Sequence, residues 1–261
     1  MKYLRIYWAI IKINTTLLFT YRANFYNAVI ITTGWGIISI VSIFLLTAKT
    51  KSVYGWSRDE LYLLTGLYSI VIGLFHMFFS SSLERFARTI SLGNLDSYLL
   101  SPIDVQLFLS TKFFRPVSSL RLIIAIAFTM YIMHSMNIEL SILNLTTFCL
   151  YILLGVILLY SIWFLTITLT IWNPNLSNLV EFLYNFSNLA RYPPALLLYT
   201  KNLIVFLFIP LTLITSVPAR LITGKVEPIE TIGLVVFSFG LFILSRLFWK
   251  YALRHYTSAS S

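Results

Sequence analysis

The chain has 261 residues, of which 58% are hydrophobic and only 11% are charged, and its formal net charge is +10. Soluble domains carry about 25% charged residues, so this composition excludes a water-facing globular protein. Together with a mean hydropathy of +0.84, it predicts one all-α, polytopic membrane domain over residues 1–261. The basic residues lie between apolar runs and form no stripe, which favours contact with anionic membrane lipids over nucleic-acid binding.

The first segment, residues 1–24, is amphipathic. Its basic face is formed by Lys2, Arg5 and Lys12, and its apolar face by Leu4, Trp8, Ile11 and Leu18. This pattern predicts an interfacial helix that lies in the headgroup region. The alternative is a first transmembrane helix with a basic lead-in.

Long uncharged stretches then predict transmembrane helices. Residues 23–48 and 61–83 are each long enough to cross a bilayer, and Pro116 suits the first turn of a third span that ends near residue 137. A fourth span begins near residue 140 and ends before the break at Asn173-Pro174-Asn175. The last span covers residues 231–249.

The sequence leaves the position of the fifth span open. It covers either residues 176–192, with Glu181 inside it and Pro193-Pro194 at its end, or residues 203–217, with Pro210 in its middle. Six spans would place both termini on one side of the membrane. The excess of lysine and arginine on that side predicts that it is cytoplasmic.

The sequence contains no pattern that indicates catalysis. There is no Gly-x-x-x-x-Gly-Lys-Ser/Thr loop for ATP, no hydrolase or zinc-protease motif, and only one cysteine, Cys149. His76 and His134 are lone histidines on apolar helices and are expected to pack between helices rather than bind a metal. The chain is therefore predicted not to be an enzyme and to hold no cofactor.

The longest polar segment, residues 84–115, comes after the second span and is called the coupling segment. Leu83, Phe86 and Ile90 share one helical face, while Glu84 and Arg88 are spaced to pair. Gly93 suits a helix end, and Asp96 is placed to cap the next helical turn. The pattern predicts a short amphipathic helix that seats in a groove of a soluble partner. The alternative is a solvated loop.

Several short motifs, in this order along the chain, resemble one subgroup of type-2 ATP-binding-cassette (ABC-2) permeases. They are Tyr21-Arg22-Ala23-Asn24-Phe25, Gly55-Trp56-Ser57-x-x-Glu60-Leu61, Gly93-x-x-Asp96-x-x-Leu99-x-x-Pro102, Arg191-Tyr192-Pro193, Phe208-Ile209-Pro210 and Val217-Pro218-Ala219. Each motif is short, and the specificity comes from their order and spacing over nearly the whole chain.

The resemblance implies the permease subunit of an ATP-driven exporter in the plasma (inner) membrane of a prokaryote. Such a half-transporter has about six spans and pairs with a second permease half, identical or paralogous. Two separate ATPase subunits bind ATP and Mg²⁺. The residues implied in coupling to them are Glu84, Arg85, Arg88, Gly93, Asp96 and Pro102.

The resemblance also implies an outer re-entrant segment over residues 193–228, which favours residues 176–192 as the fifth span. A membrane anchor or assembly subunit without a transport path is the alternative function. In the favoured arrangement, Glu181 is the candidate polar group inside the membrane, since a carboxyl there costs about 2.5–3.5 kcal/mol. It would face the dimer interface or a wet path, or reach the nearby surface.

Overall fold

The computed structural model describes residues 2–50, 52–53, 55–101, 103–138, 141–173, 178–195 and 208–256. In these ranges the regular secondary structure is helical apart from one hairpin, in which the two-residue strand β1 (Ser52–Val53) pairs antiparallel with the two-residue strand β2 (Trp56–Ser57). Gly55 turns this hairpin with φ +83°, a conformation that glycine adopts without strain. The described chain is therefore an all-α protein, as predicted.

The helices, in chain order, are α1 (Lys2–Thr20), α2 (Arg22–Thr47), α3 (Arg58–Phe75), a π-helical turn (His76–Ser80), α4 (Ser81–Ser91), α5 (Asp96–Leu99), α6 (Val105–Thr111), α7 (Ser118–Ser135), α8 (Ile142–Thr168), α9 (Leu179–Ser187), α10 (Ile209–Ile222) and α11 (Pro228–Arg254). Short 3-10 turns extend α8 over Leu169–Ile171 and α9 over Asn188–Arg191. Five helices in the described ranges are long and apolar enough to cross a membrane: α2, α3 with α4, α7, α8 and α11. This confirms a polytopic membrane protein.

The second predicted span and the predicted amphipathic helix form one continuous helix. α3 enters the π-helical turn at His76, and α4 follows it directly to Ser91. The helix continues past residue 83, where the predicted span ends, and the charged residues of α4 occupy one side only. On the other side Leu83, Phe86 and Ile90 carry the apolar stripe into the core.

Two short helical segments lie where the fifth span was expected. α9 and its 3-10 extension cover residues 179–191, and α10 covers 14 residues. At 1.5 Å per residue, neither reaches the roughly 30 Å of a bilayer core. Residues 174–177 and 196–207, which belong to the two alternatives, lie outside the described residues.

α10 is buried along most of its length although it contains two prolines. Pro210 occupies its first turn, where no N–H is needed, and Pro218 lies inside the helix. Backbone freed by proline at membrane depth is tolerated when it is buried in protein, and here every residue from 210 to 219 is buried. This burial agrees with the condition for a re-entrant segment over 193–228, whose position on the outer side stays a prediction.

The core lies between α3, α7, α8, α10 and α11, and bulky aromatic side chains fill it. Trp163, Phe75, Phe86 and Phe164 are its largest fully buried side chains. α8 packs against both α10 and α11, with Gly155 facing Ile214 of α10 so closely that a Cβ would lie 2.9 Å from its side chain. A small residue therefore sets the separation of α8 and α10.

The motif Gly55-Trp56-Ser57-x-x-Glu60 forms the start of α3. Ser57 and Glu60 make a capping box, in which each side chain accepts a hydrogen bond from the other's backbone N–H. Glu60 also binds Lys225, just after α10, at 2.6 Å. This motif thus has a structural role: it begins the helix and ties it to the chain before α11.

Candidate functional site

The predicted coupling segment lies at one end of the helix bundle, and its apolar face packs inward. Leu83, Phe86 and Ile90 are almost fully buried, and the Phe86 ring lies 5.7 Å from Phe164 and 5.5 Å from Trp249. The expectation that this face docks into a partner is therefore wrong, because it is occupied by the protein's own α8 and α11. The surface left for a partner is the opposite, polar side.

That outward surface carries both charge and exposed apolar groups. Arg85 and Arg88 are exposed on α4, Leu92 is exposed after it, and Leu100 is 87% exposed after α5. Single exposed apolar residues are common on protein surfaces, so this exposure makes Leu100 available for a contact without requiring one. Pro102, which belongs to the same motif, lies outside the described residues.

Gly93 ends α4, as predicted. Its φ is +70°, its N–H donates to Ile90 O at 2.9 Å, and the Asn94 N–H donates to Thr89 O at 3.0 Å. These two bonds form a Schellman motif, which requires a left-handed residue at this position. Glycine at 93 therefore has a backbone reason independent of any partner.

Asp96 does not cap the following helix, contrary to the prediction. Leu95 is the N-cap of α5 and Asp96 is its first residue, with no side-chain cap bond. The Asp96 carboxylate instead faces Tyr256, after the end of α11. Burial and, second, this negative charge raise the pKa of the Tyr256 hydroxyl. The motif is thus joined to the C-terminal end of the last helix.

A polar network that was not predicted ties the coupling segment to two long helices. Asp104 caps α6 by accepting from the Leu107 N–H at 3.0 Å, and it forms an ion pair with Arg246 of α11. Arg246 also donates to Gln106 at 3.0 Å, and Gln106 donates to the Tyr160 hydroxyl of α8 at 3.2 Å. Two features of the sequence could have indicated this network: an aspartate just before the apolar run of α6, and an arginine inside the last predicted span.

Further contacts hold the rest of the segment. The Phe113 N–H donates to Ser82 at 2.8 Å, and the guanidinium of Arg85 lies 4.2 Å from the centre of the Phe113 ring. The side chain of Asn14 in α1 donates to Lys112 O at 3.0 Å. α1 is thereby fixed to the same end of the bundle, and it is not among the five described helices that could cross a membrane.

Glu84 connects the coupling segment to a cavity in the bundle. Its carboxylate accepts a hydrogen bond from the Tyr184 hydroxyl of α9. Tyr184 in turn packs edge-on against Trp163 and against the ring of His76 in the π-helical turn. π-helical turns inside α-helices frequently occur at functional sites. The predicted pairing of Glu84 with Arg88 stays a prediction.

The cavity has a volume of about 500 Å³ and lies between α2, α3, α7, α8 and α9. Its apolar wall consists of Ile31, Trp35, Ile38, Ile72 and Trp163, and its larger polar groups are Tyr68, His76, Arg115, Arg121, Tyr184 and Arg191. It extends from the middle of α3 towards the end of the bundle that carries the coupling segment. Among the described residues, no aspartate or glutamate lines it.

Two guanidinium groups in this cavity, those of Arg121 and Arg191, have polar and aromatic neighbours but no ion-pair partner in the described ranges. Arg191 donates to Ser39 at 3.2 Å and lies 4.8 Å from the centre of the Tyr68 ring, while the Tyr68 hydroxyl donates to Asn188 at 2.6 Å. The Nε atoms of Arg121 and Arg191 are buried and donate to no acceptor among the described residues. None of the ion pairs between described residues involves these arginines.

Arg121 and Arg191 were not predicted as site residues. A signal existed on α9 and its extension, where Tyr184, Ser187, Asn188 and Arg191 are spaced i, i+3, i+4 and i+7 and form a polar stripe on one face. His76 lies in the cavity wall rather than in apolar packing alone. In the described ranges, no three histidine, cysteine, aspartate or glutamate side chains come together as a metal site.

Glu181 lies in the first turn of α9 with its side chain exposed, and it does not line the cavity. It precedes Tyr184 by three residues on the same helix, so it lies near the beginning of the polar stripe. Its carboxylate is well placed at a helix N-terminus, where the backbone dipole favours negative charge. Contact with a dimer partner or a transport path stays a prediction.

Comparison with known proteins gives one family. The model of a family described as ABC-2 family transporter protein matches residues 33–260, which is most of the chain. No curated protein and no solved structure matches the chain.

Proposed function

Since the chain belongs to the ABC-2 family of transporter proteins, we propose that it is the membrane-spanning permease subunit of an ATP-driven exporter, powered by ATPases on separate chains. The permease role follows from the family and from the five described helices that are long and apolar enough to cross a membrane. Export, partner ATPases and a second permease half are the parts that we propose. The two ATPase subunits would bind ATP and Mg²⁺, because this sequence has no phosphate-binding loop.

The observation that carries the proposal is the attachment of the coupling segment to the transmembrane helices. α4 continues α3 through the π-helical turn, and Asp104 pairs with Arg246 of α11. A displacement of the segment by an ATPase would therefore move two long helices directly. Transport would then occur by alternating access: the packed helices of the two permease halves would move as rigid bodies, so that the path between them opens first to one side of the membrane and then to the other.

The outward surface of the segment supplies the contact to the ATPase in this proposal. The basic side chains of Arg85 and Arg88 would meet acidic groups, and Leu100 would fill an apolar pocket. In this proposal the segment would lie on the cytoplasmic side, which the charge distribution of the sequence supports. The membrane would be the plasma membrane of a prokaryote.

Co-purification with a tagged chain, followed by measurement of ATP hydrolysis in proteoliposomes, tests the proposal. The wild-type chain should bring down a protein with a phosphate-binding loop and stimulate its ATP hydrolysis. Leu100→Asp should insert normally, because the exposed side chain contributes little packing within the chain. It should lose most of this association, because a carboxylate does not fit the apolar pocket proposed for Leu100. Lys49→Glu, an exposed charge change in the loop after α2, is the matched control and should behave like wild type.

Two results would contradict the proposal. If no ATPase is retained under conditions that keep the chain folded, the alternative of a membrane anchor or assembly subunit is favoured. If an ATPase is retained equally by the wild type and by Leu100→Asp, the proposed contact surface is wrong.

A further inference from the structure

The cavity between α2, α3, α7, α8 and α9 concentrates positive charge, and the carboxylate of Glu84 reaches it only through its hydrogen bond with Tyr184. Arg115, Arg121 and Arg191 all line it, and no described carboxylate forms an ion pair with them. Arginines among membrane helices are costly and almost always face a partner or a polar ligand. An anion is the kind of ligand that would supply a counter-charge to these arginines.

The geometry favours a specific kind of anion contact. The Nε atoms of Arg121 and Arg191 are buried and have no acceptor in the part of the chain that the structure describes. In arginine, Nε together with one Nη forms the fork that binds two oxygens of a phosphate or carboxylate. The Tyr68 ring lies under Arg191, and the Tyr68 hydroxyl is fixed by Asn188. These contacts orient Arg191 without neutralising its charge.

The remaining wall is apolar and aromatic. Trp35, Ile38, Ile72 and Trp163 line the cavity on the other side, and its volume of about 500 Å³ is in the range of small-molecule sites. A ligand that fits both walls has an anionic head and an apolar body. A cationic or purely apolar compound would leave the arginines without a counter-charge.

We infer that this cavity is a binding site for anionic amphiphiles, with the phosphate or carboxylate head held between Arg121 and Arg191 and the apolar part against Trp35 and Trp163. If such a compound is also the transported substrate, that further step rests on the proposed transport function. Binding itself does not require an ATPase, so the two proposals are tested separately.

A titration of the purified chain alone, in a neutral detergent, tests the site. Octyl phosphate should change the tryptophan fluorescence, because Trp35 and Trp163 line the cavity. Octyltrimethylammonium, with the same chain and the opposite charge, should not. Arg121→Gln and Arg191→Gln should each weaken octyl phosphate binding about tenfold or more, as expected for loss of one charge-assisted fork. Arg254→Gln removes an exposed arginine and is the matched control.

Thermal unfolding separates this role from a structural one. An uncompensated buried charge lowers stability, so both glutamine variants should unfold at the temperature of delipidated wild type or above it when all three proteins are compared without lipid or ligand. Lower unfolding temperatures would mark the arginines as structural and overturn the inference. Equal binding of octyl phosphate by wild type and both variants, or equal binding of the cationic probe, would also overturn it.

Mass spectrometry of the purified chain distinguishes the sources of the anion. A phospholipid retained by wild type, lost in Arg121→Gln and displaced by octyl phosphate would identify a lipid headgroup. Octyl phosphate binding without a retained lipid would identify a free amphiphile. Each of these results supports the site.

Discussion

Asp104, at the start of α6, accepts hydrogen bonds from both Nη atoms of Arg246, which lies in α11 and 142 residues further along the chain. The bond from Nη1 to Oδ1 is 2.7 Å long. The same carboxylate caps α6, so one side chain joins the short helix to the last transmembrane helix. Since Arg246 also holds Gln106, the pair is part of a network that reaches α8 through Tyr160.

Breaking this pair should uncouple ATP hydrolysis from the permease more than it destabilises the fold. The two side chains are 27% and 35% exposed, so their pairing is expected to contribute about 1 kcal/mol or less to stability. Arg246→Gln should therefore insert and remain folded, yet reduce stimulated ATP hydrolysis several-fold. Arg254→Gln, two turns later on the same helix, is the control. Wild-type stimulation by Arg246→Gln would show that α11 does not receive the movement through this pair.

The same pair predicts a pH dependence. The hydrogen bonds from Arg246 hold the pKa of Asp104 below its ordinary value of 3.8. A depressed pKa means that the stabilisation is complete above the unfolded value and is lost as pH falls through the folded one. Lowering the pH from about 5 to about 3 should thus reduce the unfolding temperature of wild type more than that of Asp104→Asn. Identical slopes for both proteins would contradict this.

Gly93 should not tolerate a side chain, because its backbone is left-handed. With φ at +70°, alanine is expected to cost about 1–2 kcal/mol. Gly93→Ala should therefore lower the unfolding temperature and weaken ATPase association. Gly240→Ala is the matched control, since a Cβ there meets nothing within 4 Å inside α11 and alanine favours the helix. A Gly93→Ala protein as stable as wild type would contradict the Schellman assignment.

Local patterns allowed a correct prediction of the features that depend on neighbouring residues. The long apolar stretches, the apolar stripe of α4 and the left-handed turn at Gly93 were all recognisable because each is determined within a few residues. The capping role of Asp96 was predicted wrongly because a cap is a local feature, whereas its contact with Tyr256 depends on how α11 returns to α5.

The arrangement of the cavity could not be predicted from the sequence. Arg121 and Arg191 lie about 70 residues apart and meet only because α7 and the extension of α9 both pack beside α3. The Asp104–Arg246 pair likewise forms only through the packing of distant helices. The sequence showed that each charge is present, but not that the two side chains pair. The polar stripe of α9, by contrast, follows from residue spacing within one helix and was recognisable in the sequence.

The orientation in the membrane gives a direct labelling experiment. Ser52 and Ser97 are both exposed, one in the hairpin before α3 and one in α5 of the coupling segment. The excess of positive charge on the segment side predicts that Ser97 is cytoplasmic and Ser52 is outside. With the exposed Cys149 replaced, single cysteines at these positions should react with an impermeant reagent from opposite sides of the membrane. Labelling from the same side would reject this orientation.

The sequence left two roles open for Glu181. In one role it shapes the transport path, and in the other it only stabilises the beginning of α9. Its exposed side chain, its place in the first turn and its absence from the cavity wall favour the second role.

A carboxylate at this end of a helix stabilises the helix by about 0.3–1 kcal/mol. Glu181→Gln and Glu181→Leu should therefore insert, assemble and stimulate ATP hydrolysis like wild type, with a small drop in unfolding temperature. Tyr184→Phe, one turn later, removes the hydrogen bond to Glu84 at the cavity wall and should reduce stimulation. If both Glu181 variants lose stimulation while remaining assembled, with leucine the worse, then Glu181 belongs to the transport path.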